Sequence, residues 1–202
     1  MAHHILEMPI TEEKARSLKI GDTVTLELTL YGIRDATLIH MFDKGREIKF
    51  DLNGHAVIHT APNVHRVPVS NEAPVGYKPF CIGTTTSMRM ERFTHDLMQR
   101  EGVRIIIGKG GMGPDTLAAF AEFGGAYLAI VGGAAALETT WIEQIVDIDL
   151  DDLHPESLWK FQIKNFGPLL VAMDSHGGSL YADLQKDVAS RRDAVIKSIG
   201  AV

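Results

Sequence analysis

The stretch Val103-Arg104-Ile105-Ile106-Ile107-Gly108-Lys109-Gly110-Gly111-Met112-Gly113-Pro114 decides how this chain is read. An apolar run too short for a helix passes straight into a glycine-rich turn, and a proline then stands where a helix would begin. Pro suits the first helical turn, where its missing N–H has no partner to lose and its fixed φ is already helical. The pattern from Thr116 to Phe123 continues that helix, and Gly124-Gly125 closes it. The unit is therefore a buried strand, a turn that lets something approach the backbone closely, and a helix.

The same order recurs on either side. Tyr77 to Ile82 and Ala126 to Val131 are further short apolar runs that end in turn residues and read as buried strands, with a helical pattern from Met90 to Gln99 between the first and Val103. Alternation of strand and helix predicts an α/β fold with a mostly parallel sheet, flanked by helices on both faces. Upstream, Thr23-Val24-Thr25-Leu26-Glu27-Leu28-Thr29-Leu30 and Ala56-Val57-Ile58-His59-Thr60 read as strands around a helical stretch from Arg34 to Glu47. Ala61 to Tyr77, rich in Pro, Asn and Val, reads as connecting loop or edge strands. Downstream, Leu158 to Lys164 and Leu169 to Met173 read as strands, Gly177-Gly178 as a turn, and Leu184 to Ile199 as a polar terminal helix.

Length and charge narrow the function classes. A chain of 202 residues holds one sizeable core, so residues 1 to 202 are expected to form one domain. A net charge of -6 gives no long-range attraction to nucleic acid or an anionic membrane, and any cationic site must be local. No apolar run approaches the roughly 20 residues of a bilayer span, and the first residues lack the layout of a signal peptide, so a cytoplasmic protein is expected. The single cysteine, Cys81, excludes an internal disulfide framework and falls short of the thiolates that an iron-sulfur cluster takes.

In a parallel sheet, ligands collect beyond the carboxyl ends of the strands. One such end is Gly83-Thr84-Thr85-Thr86-Ser87-Met88-Arg89. A helix beginning near Thr85 would set its hydroxyl beside the Arg89 guanidinium, four residues on, and a carboxylate could bridge them. A plain helix cap with a solvated arginine fits the spacing at least as well. The second end is Gly108 to Gly113. It matches the glycine string of dinucleotide sites, but the next strand ends Ile130-Val131-Gly132-Gly133 without the acid that would hold a ribose, and Lys109 sits among the glycines rather than after them as in a P-loop. What remains is a small-anion turn with one ammonium, or simply a tight turn. Gly132 to Ala136 is a third turn, with room for a ligand or for close packing. Arg34-Asp35 adds a guanidinium, or a local ion pair; no local base is apparent among these loops.

Other constellations are weaker. His55 and His59 lack an acidic third ligand for a metal, Asp174-Ser175-His176-Gly177 reads as a polar turn rather than a hydrolase triad, and Cys81 reads as a buried, inert thiol.

The string Thr84-Thr85-Thr86-Ser87-Met88-Arg89-Met90-Glu91 followed by Gly108 to Pro114 resembles the β subunit of L(+)-tartrate dehydratase and the equivalent C-terminal domain of class I fumarases. Arg34-Asp35-Ala36, Asp51-Leu52-Asn53-Gly54, Glu156-Ser157-Leu158-Trp159 and Phe166-Gly167-Pro168 also look like landmarks of that family, in the right order; Ser17 to Asp22 fits loosely. The resemblance implies a swivelling β/β/α domain that works in a hetero-oligomer with a cysteine-bearing α subunit. That partner would hold a [4Fe-4S] cluster, and none would be bound by this chain alone. It implies a hydro-lyase acting on a dicarboxylic acid, with Thr85 in proton transfer, an aspartate of the partner assisting it, Arg34 and Arg89 on the substrate carboxylates, and Lys109 both on the substrate and in catalysis. Thr84 and Thr86 are the alternatives to Thr85 if the alignment slips. Of the two substrates the resemblance favours fumarate, although Met88 before Arg89 is nearer the tartrate form; His40 receives no role. A small-anion binding module without catalysis is the alternative from another class, and a dinucleotide-binding oxidoreductase is the third reading.

Overall fold

The computed structural model describes residues 1–131, 133 and 135–200. Its main sheet has seven strands in the order β1 (His3–Glu7), β2 (Thr23–Ile33), β3 (Ala56–His59), β6 (Ile105–Gly108), β7 (Ala126–Ala129), β9 (Leu158–Met173) and β8 (Ile142–Asp149). Strands β1, β2, β3, β6 and β7 pair in parallel, whereas β9 runs antiparallel to β7, to β8 and also to β2. That last pairing closes β2, β3, β6, β7 and β9 into a five-stranded barrel. The α/β class with a mostly parallel sheet and flanking helices holds, but the sheet is not covered by helices on two faces. One face is the barrel interior.

Strand alternation sorts side chains between interior and exterior. Ala56 and Ile58 of β3, Ile105 and Ile107 of β6, and Ala126 and Leu128 of β7 join one buried cluster with Trp159, Phe161, Ile163 and Phe166 of β9, the barrel core. The residues between them, Val57, Ile106 and Tyr127, point outward into a second cluster beneath α2 (Asp35–Leu38), α3 (Thr94–Glu101) and α4 (Pro114–Phe123), with Leu38, Leu97, Met98 and Phe120. Apolar runs that looked like uniformly buried strands are so because both faces are covered, each by a different layer.

Several sequence expectations need correction. Leu158 to Lys164 and Leu169 to Met173 form one bent strand, because Asn165 takes a positive φ and Gly167, at φ 149°, passes so near β2 that a Cβ there would lie 2.6 Å from the Val24 carbonyl oxygen. Tyr77 to Ile82 is not a core strand. Its β5 (Tyr77–Cys81) pairs only with β4 (Asn63–Arg66) in a separate hairpin, as the missing N–H of Pro79 requires of an edge strand. Phe80 is exposed there, its ring against His65, and Cys81 is half-buried rather than buried. Arg34 to Glu47 holds α2 and then a π-helical turn, Ile39–Asp43. Strands β1 and β8 and the short helix α1 (Glu12–Arg16) have no counterpart in the sequence reading. The terminal helix α6 (Leu180–Ser198) starts earlier than its polar pattern suggests, capped by Ser179, whose Oγ accepts from the Ala182 amide. In the third glycine turn, Gly132 and Ala134 lie outside the described residues. Among the described residues no helix is long and apolar enough to cross a membrane.

Candidate active site

The parallel strands of the barrel all end on one rim, so Arg34 after β2, His59 at the end of β3 and Lys109 after β6 come together there. The segment Thr84–Thr86 crosses this rim in extended form. Thr84 bridges Thr60, and Thr86 bridges Lys109. The Thr85 amide donates to the His59 carbonyl at 2.8 Å, and the Ser87 amide to the Lys109 carbonyl at 3.0 Å. No helix starts at Thr85; a 3-10 turn, Ser87–Phe93, begins two residues later and runs into α3.

The Thr85–Arg89 juxtaposition nevertheless exists. One Arg89 Nη2 donates to Thr85 Oγ1 at 2.9 Å and to Asp35 Oδ2 at 2.9 Å. Arg34 Nε donates to the same Asp35 oxygen at 3.2 Å and faces Glu156 Oε1 at 3.4 Å. Asp35 is thus shared by two guanidiniums: the local ion pair expected with Arg34 forms, and Arg89 joins it from a separate segment. Glu156 holds the turn beneath: its carboxylate accepts from the Ala36 amide at 2.8 Å, and its carbonyl accepts from Thr37 Oγ1. The Lys109 ammonium makes no hydrogen bond or ion pair among the described residues. Of the three threonines, Thr84 is buried with its hydroxyl unpartnered among the described residues, Thr86 is exposed, and Thr85 is the one half-buried beside a cation.

Under this rim runs a buried polar row, which no spacing in the sequence revealed. His59 Nδ1 and Ser87 Oγ lie 2.9 Å apart, as do Ser87 Oγ and Tyr127 Oη. Complete burial pushes His59 down to about 4, so it is neutral at physiological pH, and burial raises the Tyr127 hydroxyl well above its ordinary range. The row explains Gly108, where a Cβ would lie 1.9 Å from Ser87 Oγ.

The other glycines of the turn serve protein groups as well. A Cβ at Gly111 would lie 2.5 Å from the Tyr181 ring, and one at Gly113 would lie 2.8 Å from Glu91 Oε1. Glu91 accepts from the Gly113 amide at 2.8 Å, the Thr116 amide at 3.0 Å and Thr116 Oγ1 at 2.7 Å. A carboxylate of the chain itself therefore occupies the α4 N-terminus, where a dinucleotide phosphate would bind. Glu91 also ties the threonine loop to the lysine turn. Glu91→Ala is expected to lower stability by about 2 kcal/mol, through loss of a cap with charge-assisted bonds, read as a drop in denaturant midpoint at constant m.

The remaining sequence candidates fall elsewhere. Asp174 Oδ1 accepts from the His176 and Gly178 amides at 2.9 Å each, a polar turn rather than a triad. His55 packs edge-on against Tyr31, and among the described residues no group of three or more His, Cys, Asp or Glu is placed to hold a metal. His40 contacts Lys44 at 2.8 Å and Arg46 at 3.2 Å.

Fold and rim together define a small barrel domain presenting a hydroxyl, two guanidiniums and an ammonium on an open surface. The chain belongs to the fumarase C-terminus family, whose model matches residues 2–184. It is 36% identical over 196 residues to the L(+)-tartrate dehydratase subunit beta of Escherichia coli, covering 96% of this chain and 94% of that protein. It is also 40% identical over 182 residues to a Geobacillus stearothermophilus protein named "Putative fumarate hydratase class I", covering 90% of this chain but 34% of that longer protein.

Proposed function

We propose that this chain is the β subunit of a two-component, iron-sulfur-dependent hydro-lyase that interconverts a hydroxy dicarboxylic acid and its dehydrated product. The observation that carries the proposal is the rim cluster: Thr85 bonded to Arg89, Arg34 joined to Arg89 through Asp35, and Lys109, bridged to Thr86, with its ammonium unpaired among the described residues. Planar guanidiniums suit carboxylates, and Arg34, Arg89 and Lys109 would hold the two ends of a dicarboxylate dianion. Arg89 donates to the Thr85 oxygen, which favours negative charge there and so helps the hydroxyl give up its proton. Lys109 adds a positive field where charge develops in the reacting acid.

The residues of this chain do not fit a [4Fe-4S] cluster. Cys81 is the only cysteine, and it lies on the β4–β5 hairpin. The proposal therefore gives the cluster to a cysteine-bearing α subunit. The name "subunit beta" of the Escherichia coli relative supports a partner, and the open rim gives a partner somewhere to complete the site.

Two substrates have support. The 40% identity to the fumarate hydratase relative favours fumarate, and the matching length of the tartrate dehydratase subunit favours L(+)-tartrate. Co-purified with its α subunit, the chain is expected to turn over malate and fumarate or L(+)-tartrate, and the isolated chain is expected to turn over none. Full activity from the isolated chain would refute the reading. Tight calorimetric binding of a dicarboxylate to the isolated chain, unaffected by the partner and without turnover in the complex, would replace it with a non-catalytic binding module.

A further inference from the structure

Glu138 lies on the short helix α5 (Ala135–Thr140), just beyond the rim. It is 1% exposed, and among the described residues neither carboxylate oxygen makes a hydrogen bond of ordinary geometry, the Thr84 amide being the donor that acts on it. Burying a carboxyl this way is costly, and a fold keeps such a group only where something offsets or uses it. Two features tie it to the site. The Ile82 amide donates to Thr139 Oγ1 at 2.8 Å, fixing the neighbouring residue to the strand end from which Thr84–Thr86 departs. The groups that act on the Glu138 carboxyl are the Thr84 amide and the Lys109 ammonium.

We propose that Glu138 is a charge-balancing residue of the dicarboxylate site, setting how much of the Lys109 ammonium's field reaches the substrate. This inference rests on the functional reading above. Helix α5 packs against β5 and β8, whose charged groups are engaged elsewhere: Lys78 with Glu72 at 2.9 Å, Glu143 with Gln162 at 3.0 Å, Asp147 with the Lys49 ammonium at 2.7 Å and Asp149 with the Lys49 amide at 2.6 Å. Among the described residues, Lys109 is the cation that acts on it. Burial pushes the Glu138 carboxyl up to about 7, against the opposing pull of the Thr84 amide and Lys109. As a carboxylate, Glu138 offsets Lys109; as a neutral acid, it leaves the ammonium free to attract a dianion. A dianion at Lys109 in turn favours the neutral acid, so binding draws one proton from solvent onto Glu138. Affinity is then greatest below the midpoint and falls as pH rises through it.

Two measurements test this. In the full chain, carbon-13 NMR of the Glu138 carboxyl, assigned by its loss in Glu138→Gln, should titrate near 7. Lys109→Met should move that midpoint upward, because removing the cation disfavours the carboxylate. An unmoved midpoint would overturn the proposal. In the complex with the α subunit, KM for the dicarboxylate should rise on the order of tenfold between about pH 6.5 and about pH 8.5, as expected for one linked proton. In Glu138→Gln, KM should stay low and flat across that range. A merely structural role would change thermal stability or kcat without flattening the KM profile, and a wild-type profile in Glu138→Gln would also overturn the proposal. A complex that turns over no dicarboxylate counts against the hydro-lyase reading instead, and the NMR titration then decides the role of Glu138.

Discussion

In the complex with its partner, Thr85→Ala is expected to lower kcat by about 10²- to 10⁴-fold, the range over which one positioned proton-transfer group acts. The substitution removes a half-buried hydroxyl from the surface of the cluster and leaves the Arg89–Asp35 ion pair in place. Folding should therefore change little, and KM, set by the cations, should move far less than kcat. Thr85→Ser keeps the oxygen that Arg89 contacts and should retain most of the activity. Arg89→Lys should not, since one planar nitrogen now serves both Thr85 and Asp35, and an ammonium on a flexible stem does not reproduce that fork. Steady-state kinetics of these variants decide the matter. Equal losses in Thr85→Ala and Thr85→Ser would mean that the side chain's shape matters rather than its hydroxyl, and retention of wild-type kcat in Thr85→Ala would remove the residue from the mechanism.

Gly108→Ala is expected to be the most damaging glycine-to-alanine change among the described residues, costing about 3 to 5 kcal/mol. The added Cβ would fall 1.9 Å from Ser87 Oγ and 3.0 Å from Tyr127 Oη, within a fully buried stretch of β6. Displacing Ser87 leaves His59 Nδ1 and the Tyr127 hydroxyl without the partner they share, and each unpaired buried polar group costs roughly 1 to 3 kcal/mol. Ser87→Ala in the same chain should recover the steric part but not the lost hydrogen bonds. Chemical denaturation of the two single variants and the double should therefore be strongly non-additive. Additive losses would show that the clash is relieved elsewhere.

How much of this was legible in the sequence depended on the distance over which each feature is encoded. Helix α4 was plain because Pro114 and Gly124 mark its ends locally, and the strand character of Ile105 to Ile107 follows from a few adjacent side chains. Thr85 and Arg89 were paired from a helical spacing that does not occur, since the residues meet across the start of a 3-10 turn instead. Barrel closure was illegible, because it depends on the pairing of β9 with β2, whose register joins Thr23 to Leu170. The same holds for Glu156, which reaches Arg34 from more than a hundred residues away, and for the His59–Ser87–Tyr127 row, drawn from three separate segments. Gly108 to Gly113 reads equally as an anion turn or a plain tight turn, because glycine signals close approach without saying what approaches. Here it is Ser87, Tyr181 and Glu91.

The pairing of β9 to both β7 and β2 also governs when the domain can exist during synthesis. The strands that carry Arg34, His59 and Lys109 leave the ribosome first, yet the barrel closes only once Leu158–Met173 has followed them. Until then β2 and β7 expose unpaired backbone to whatever strand is nearby, and contacts of such long sequence separation form slowly. Nascent chains of this protein should therefore rely on holding factors late in translation, and truncations within β9 should accumulate as aggregates rather than as smaller folded domains.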